Sequence, residues 1–366
     1  MGIKNILKKV LPLPADKTRK VISKLNVRLS DIETTEERLE GSLALLHELN
    51  EGHKAGLDSS LAEMREVLNH TIAAQEGLNS LNYRMTVLSE REVDLAAASM
   101  KRNVIEHLDC HLTEHCNLNC RVCSVYAPLG EENYADPRKF ESDTANLQKF
   151  MGDEGVMRVH LLGGEPLLHP EIEKFVRIAR KSFKYAEIDV TTNGLLVLGM
   201  PDSFWDTLRE CDVALKYTRY PVKFDYDKMV EYVAEKGVSV FPAAEGEIEF
   251  FRRIPLDVGG QLDIYKSYVR CTYINCVQLW DGRIYRCPVA AFSSRLNRAM
   301  QKEGVGKEFH LSKKDYLDLE EDHTMQEISD FLSTATPFCR YCDMDHVNPC
   351  LPWGCSTKDV REWVDL

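Results

Sequence analysis

The chain has 366 residues, 44% of them hydrophobic, a length that suits two or three domains at ~150 residues each and enough apolar content for a real core. No apolar run reaches the ~18 residues of a membrane span, and the opening MGIKNILKKV lacks the apolar centre of a secretory signal, so a cytoplasmic protein is expected. A net charge of −12 argues against non-specific nucleic-acid binding, and twelve cysteines in a reducing compartment argue for metal or redox chemistry rather than disulfides.

Residues 1–28 stand apart, with eight Lys and Arg against Asp16 alone, a net of +7 that leaves −19 for the rest. Ile3, Ile6, Leu7, Val10 and Leu11 fall on one helical face, Lys4, Lys8 and Lys9 lie off it, and Pro12 and Pro14 stop the helix. This pattern suits two uses. One is contact of residues 1–11 with an anionic surface, peripheral to the inner membrane; the other is packing on protein. An N-myristoylation signal is excluded by Ile6, where Ser or Thr is required.

Residues 29–100 read as long helix. Leu57, Leu61, Met64, Leu68, Leu78 and Met85 follow steps of four and three, with Thr71, Gln75 and Asn82 in the intervening slots. Ile32, Leu39 and Leu46 repeat at sevens, and NEGHKAG, residues 50–56, breaks the register between the two runs. A coiled coil that makes a homo-oligomer is expected, with a helical hairpin folding back on its own chain as the alternative.

From 101 to 265 strands and helices alternate. VIEHLDCHLT, MRVHLLGGEP, YAEIDVTTNG, DVALKYTRY and VSVFPA read as strands. KFESDTANLQKFMG, PEIEKFVRIARKSF, DSFWDTLREC and DYDKMVEYVAEKG read as the helices between them. Such alternation predicts a parallel sheet, with sites at the C-terminal ends of its strands. Three motifs fall at those ends: the cysteine run after the first strand, Gly163 to Pro166 after the second, and Thr191 to Gly194 after the third. They are expected to meet at one rim of a parallel barrel. Cys110 and Cys211 sit alone on or beside strands and read as core.

The run TEHCNLNCRVCSVY places Cys116, Cys120 and Cys123 within eight residues. Three thiols cannot pair off as disulfides, and a tetrahedral zinc would need a fourth ligand nearby. A metal cluster with one corner open remains. C-x₃-C-x₂-C followed by GGEP resembles the radical S-adenosylmethionine (SAM) superfamily over residues 105–260. The resemblance implies a partial (β/α)6 barrel in which Cys116, Cys120 and Cys123 ligate a [4Fe–4S] cluster and SAM chelates the open iron. An electron from a reductant such as flavodoxin or ferredoxin then yields a 5′-deoxyadenosyl radical that abstracts hydrogen. It further implies that Gly163, Gly164 and Glu165 meet the methionyl ammonium and that Thr192 and Asn193 hold other polar groups of SAM. Lys216 and Thr218 would be further contacts. The family often has an aromatic residue before the third cysteine; here Val122 stands there.

Residues 266–366 hold a second cysteine set. CVQLWDGRIYRCP predicts a hairpin around Asp281-Gly282, TMQEISDFLS a helix, and STKDVREW a capped final helix. Cys271, Cys287, Cys339 and Cys342 are similar to the family's C-terminal SPASM or shorter twitch extension, a small cysteine-rich α+β domain. By that resemblance they hold a second, auxiliary [4Fe–4S] cluster, with Cys276 in reserve; a structural zinc on four thiolates is the alternative. Cys350 and Cys355 depart from the full SPASM spacing. The whole pattern resembles proteins met with glycosyltransferases in bacterial polysaccharide clusters, which implies a small-molecule or glycan substrate, a carbohydrate or sugar nucleotide, oxidised or epimerised. Tyr217, Arg219 and Tyr220 are candidate substrate contacts at the end of the fourth strand. A peptide-modifying maturase and a non-catalytic coiled-coil scaffold are the competing expectations.

Overall fold

In the computed structural model the described residues are 104–366 and, before them, 23–24, 27–28, 31, 34–42, 64–69 and 71, all of the latter helical. The chain divides into two compact units, Met1–Ala97 and Ala98–Leu366. In the first unit Met64, Leu68 and Thr71 are half-buried while Arg65, Glu66, Val67 and Asn69 are exposed, a stripe at four-then-three spacing. The amphipathic segment 1–11 and most of the expected coiled-coil seam lie outside the described residues.

The second unit is built on β1 (Ile105–His111), α1 (Pro137–Met151), β2 (Val156–Leu162), α2 (Ile172–Ser182) and β3 (Glu187–Thr192). It continues with α3 (Asp202–Glu210), β4 (Ala214–Tyr217), α4 (Tyr226–Glu235) and β5 (Val240–Pro242). Local chemistry sets the ends of these elements. Asp136 caps α1 by accepting from the Arg138 amide, 2.9 Å, ahead of Pro137, and Gly152 stops it at φ +72°.

Alternation along the strands decides which face is buried. Leu108, Cys110, Val159, Leu161, Ile188, Val190 and Leu215 pack with Phe140, Leu147, Phe175, Trp205, Leu208 and Met229 of the covering helices. Each of these large side chains contributes about 1.5–3 kcal/mol by leaving water. Cys110 and, less deeply, Cys211 belong to this core, as expected.

The tail supplies β6 (Phe250–Arg253), β7 (Leu256–Asp257), α5 (Ile264–Val269), β8 (Cys276–Trp280), β9 (Arg283–Tyr285), α6 (Pro288–Ala291), α7 (Ser293–Lys302) and β10 (Tyr316–Asp318). It ends with α8 (Met325–Ser333), β11 (Asn348–Pro352) and β12 (Val364–Asp365). The expected barrel is not closed. The sheet is eight-stranded and open, in the order β10-β9-β8-β1-β2-β3-β4-β5. Six of its strands are parallel, but the sixth, β8, lies on the far side of β1 instead of following β5. The chain after β5 is drawn into a separate pairing, β6 with β11, so it cannot extend that edge.

The hairpin at Asp281-Gly282 forms as the sequence predicts. Both residues have positive φ, +48° and +76°, the turn that matches the right-handed twist of the flanking strands. The expected last helix shrinks to one tight turn, Val360–Glu362. Thr357 gives its amide and hydroxyl to the Glu362 carboxylate, 2.6 and 2.8 Å, and the chain then straightens to pair β12 with β7. A second core joins the tail to the cysteine loop: Val122 and Tyr126 pack with Tyr285, Phe292, Leu296, Phe338, Tyr341 and Trp363.

Candidate active site

At the C-terminal ends of β1 to β3 the expected motifs come together. The turn after β2 is zipped onto the start of the cysteine loop, with the Gly164 amide on the Thr113 carbonyl and the Glu165 amide on the His115 carbonyl, each 3.0 Å. A Cβ on Gly163 would stand 2.7 Å from the Thr113 carbonyl, and one on Gly164 would overlap that of His115. Both glycines are thus demanded by the protein's own backbone. The Glu165 carboxylate faces away from the cavity. It is 1% exposed and accepts from the Thr192 hydroxyl (2.6 Å), the Asn193 amide (2.9 Å) and the Leu167 amide (3.1 Å). Burial pushes its pKa up to about 7, with the three donors opposing.

A cavity of about 340 Å³ lies above this turn. One wall holds Cys116, Cys120 and Cys123 with Gly163, Gly164, Thr192 and Asn193. Asp109, His111, Gln278, Arg252, Tyr273 and Cys276 line the same cavity. Thr218 and Tyr220 also line it. Tyr217 and Arg219 do not, which corrects their expected place. Tyr217 turns under the helices and stacks on Tyr226, while Arg219 pairs with Asp227 across the same ring. Lys216 lines a different hollow, at the N-terminal ends of the strands.

Asp109, His111 and Gln278 were missed by sequence reasoning, though a signal existed. In HLDCHL polar residues alternate with buried Leu108, Cys110 and Leu112, so His107, Asp109 and His111 share the strand's other face, away from the helix-covered core. They are tied together. The Gln278 amide donates to Asp109 (2.8 Å) and to the Cys276 carbonyl (2.8 Å), so its oxygen faces His111 Nε2 at 2.7 Å. His111 Nε2 therefore carries the proton, and Nδ1, buried and without a hydrogen-bond partner, is left as an acceptor. Burial holds the ring neutral, with its pKa lowered to about 3. Further along the same face Thr191 donates to Asp189 (2.6 Å), Asp189 meets His160 (2.7 Å), and His160 meets His107 (3.1 Å).

The cysteine loop fits an iron–sulfur cluster. Burial raises the thiols of Cys116 and Cys120 to about 12, so free thiolates are disfavoured unless a cation takes the proton's place. N–H groups already aim at the sulfurs: Leu118 on Cys116 at 3.4 Å, Asn193 Nδ2 on Cys116 at 3.7 Å, and Trp353 Nε1 on Cys120 at 3.3 Å. Arg295, 2% exposed and paired with Glu114, lies near enough to Cys123 to feel its charge. The loop takes positive φ at Asn119, Val122 and Tyr126; for β-branched Val122 this is a strained conformation.

In the tail, Cys271, Cys287, Cys339 and Cys342 lie within electrostatic reach of one another, and burial raises all four thiols. Backbone N–H groups of Tyr273 and Ala290 meet Cys271 and Cys287 sulfurs at 3.2 and 3.5 Å. Among the described residues no three His, Cys, Asp or Glu side chains stand close enough to share a single metal ion. A cubane, whose corners hold its ligands further apart, does not require that. Cys276 is near Cys271 but lines the main cavity, and Cys350 and Cys355 are exposed.

Residues 111–228 match the family model of the Radical SAM superfamily. This stretch of the second unit is similar to radical SAM enzymes, a class that uses a [4Fe–4S] cluster and SAM. GTP 3',8-cyclase of Campylobacter fetus subsp. fetus is 27% identical over 113 residues, 31% of this chain and 35% of that protein. GTP 3',8-cyclase of Chlorobaculum tepidum is 32% identical over 94 residues, 25% of this chain and 27% of that protein. The chain thus spans about a third of the length of the curated relatives it matches. Among solved structures, BtrN in complex with AdoMet and 2-DOIA aligns over 66% of this chain and 93% of its own, at 17% identity and a TM-score of 0.41. The anSMEcpe enzyme with bound AdoMet and Cp18Cys peptide aligns over 38% and 42%, at 20% identity and a TM-score of 0.29. No helix of the described residues is long and apolar enough to cross a membrane.

Proposed function

We propose that the protein abstracts hydrogen from a small hydroxylated substrate, a carbohydrate or sugar nucleotide, and oxidises or epimerises it. The observation that carries this reading is the cavity of about 340 Å³ lined by the cysteine loop and the Asp109–Gln278–His111 group. Its lining carries hydrogen-bonding groups beyond those of the cysteine loop, Asp109, His111 and Gln278 among them, which suits a hydroxylated small molecule. When bound at Cys116, Cys120 and Cys123, a [4Fe–4S] cluster with SAM supplies a carbon-centred radical for hydrogen abstraction.

The protein's own groups do the rest. Gly163, Gly164, Thr192 and Asn193 form the wall on which SAM is held. Asp109 fixes the Gln278 amide, and Gln278 fixes the His111 tautomer, giving a fixed polar patch against which a substrate hydroxyl would rest. Cys271, Cys287, Cys339 and Cys342 would hold an auxiliary cluster, which would supply the electron acceptor that an oxidation needs. Flavodoxin or ferredoxin is the proposed reductant, residues 57–85 the homo-oligomer contact, and residues 1–11 the contact with an anionic membrane surface.

The test is anaerobic: reconstituted protein, SAM, dithionite and a panel of sugars and sugar nucleotides, with 5′-deoxyadenosine measured. Substrate-dependent 5′-deoxyadenosine from a panel member is expected. Release that no panel member stimulates, set against stimulation by peptides, would transfer the reading to a peptide substrate.

A further inference from the structure

Residues 353–356 run alongside the cysteine loop although they lie more than two hundred positions from it in the chain. The Arg121 amide donates to the Gly354 carbonyl and the Ser356 amide to the Asn119 carbonyl, both 2.8 Å, and Cys120 and Cys355 form an antiparallel bridge. This extended stretch carries Trp353. Its amide is anchored to the Glu249 carbonyl at 2.8 Å, and its ring leans on Tyr220, centroids 6.3 Å apart. The indole N–H ends 3.3 Å from the Cys120 sulfur. The Trp353 ring is only half-buried, so core packing does not account for its placement.

We propose that Trp353 sets the reduction potential of the cluster held by Cys116, Cys120 and Cys123, by giving its indole N–H to the Cys120 sulfur. The proposal rests on the reading that these cysteines hold a [4Fe–4S] cluster. Reduction adds one negative charge to the cluster and its thiolates. A side-chain N–H dipole aimed at a ligand sulfur stabilises that charge and raises the potential. The other N–H groups on this cluster's sulfurs, from Leu118 and Asn193, both go to Cys116, so Trp353 is the described donor to Cys120. Trp353 is thus a positioning residue that acts through Cys120. The tail would then set how readily the cluster accepts the electron that starts each turnover.

The experiment uses the full, reconstituted protein as wild type, Trp353→Phe, Trp353→His and Trp363→Phe. The midpoint potential is read from the reduced-cluster EPR signal that responds to added SAM, which separates this cluster from an auxiliary one. Trp353→Phe is expected to shift the potential to more negative values at unchanged iron content. Trp353→His, which keeps a ring N–H, is expected to recover part of the shift. Trp363→Phe removes an N–H bond to the Cys123 carbonyl instead of to a sulfur, and is expected to leave the potential in place. Equal potentials in wild type and Trp353→Phe at equal iron would overturn the proposal. So would loss of iron from Trp353→Phe matching that of Cys120→Ala, which would make Trp353 a retaining residue. A wild type with no SAM-responsive signal would fail the cluster reading itself, and is recognised because no substitution is needed to see it.

Discussion

Glu165 shows how a motif can be legible while its physics is not. The GGE triplet marked the site in the sequence, but its spacing could not tell that the carboxylate would turn under the third strand, onto Thr192 and Asn193. Its folded pKa of about 7 lies above the ordinary 4.5, so the folded chain keeps a proton that the unfolded chain has lost. Stability from this group is fully present below pH 4.5 and is lost as pH rises through 7. Denaturant titrations of wild type and Glu165→Gln should therefore diverge between those values. The variant should gain on the order of 3 kcal/mol relative to wild type as pH rises. A difference that stays flat with pH would refute the buried carboxyl. Gly164 makes a second residue-scale prediction. A methyl group there overlaps the His115 carbonyl, so Gly164→Ala should destabilise the protein by about 1–3 kcal/mol and lower iron retention. Unchanged melting and iron content would show that the loop has room.

Among the elements, those with their own local chemistry were readable. Asp281-Gly282 forms the hairpin, Gly152 ends its helix, and the Thr324–Glu327 capping box opens α8. Thr324→Ala should cost about 1 kcal/mol in a denaturation curve; a loss near zero would mean that packing alone holds that helix. What escaped reading depends on partners distant in sequence. The tight turn at Val360–Glu362 replaces a helix because β12 must reach β7, and residues 353–356 take their backbone partners from the cysteine loop. Shortening the chain after residue 352 should thus reduce iron bound by the first motif, with all three cysteines still present. Full iron retention in that truncation would show that the loop holds its shape alone.

On the scale of the whole molecule, alternating strands and helices pointed to a parallel sheet, and one is present. Closure was not readable, because it depends on what the chain does after β5. It leaves to pair with β11, and the sheet grows instead through β8 on the other side of β1. The region after residue 265 therefore completes the same sheet and supplies Gln278 to the cavity. A fragment of residues 104–265 should not fold cooperatively, since β1 would lose its neighbour and Asp109 and His111 their partner; a sharp thermal transition in that fragment would contradict this.

The central claim is that two groups of thiols, one at the cavity and one in the tail, each hold an iron–sulfur cluster. It is met most directly by counting iron and sulfide per chain after anaerobic reconstitution, in wild type and in a Cys116, Cys120, Cys123→Ala variant. Two cubanes in the wild type and one in the variant are predicted. One in the wild type and none in the variant would leave the tail cysteines to zinc or to no metal, and would remove the electron acceptor that an oxidation needs.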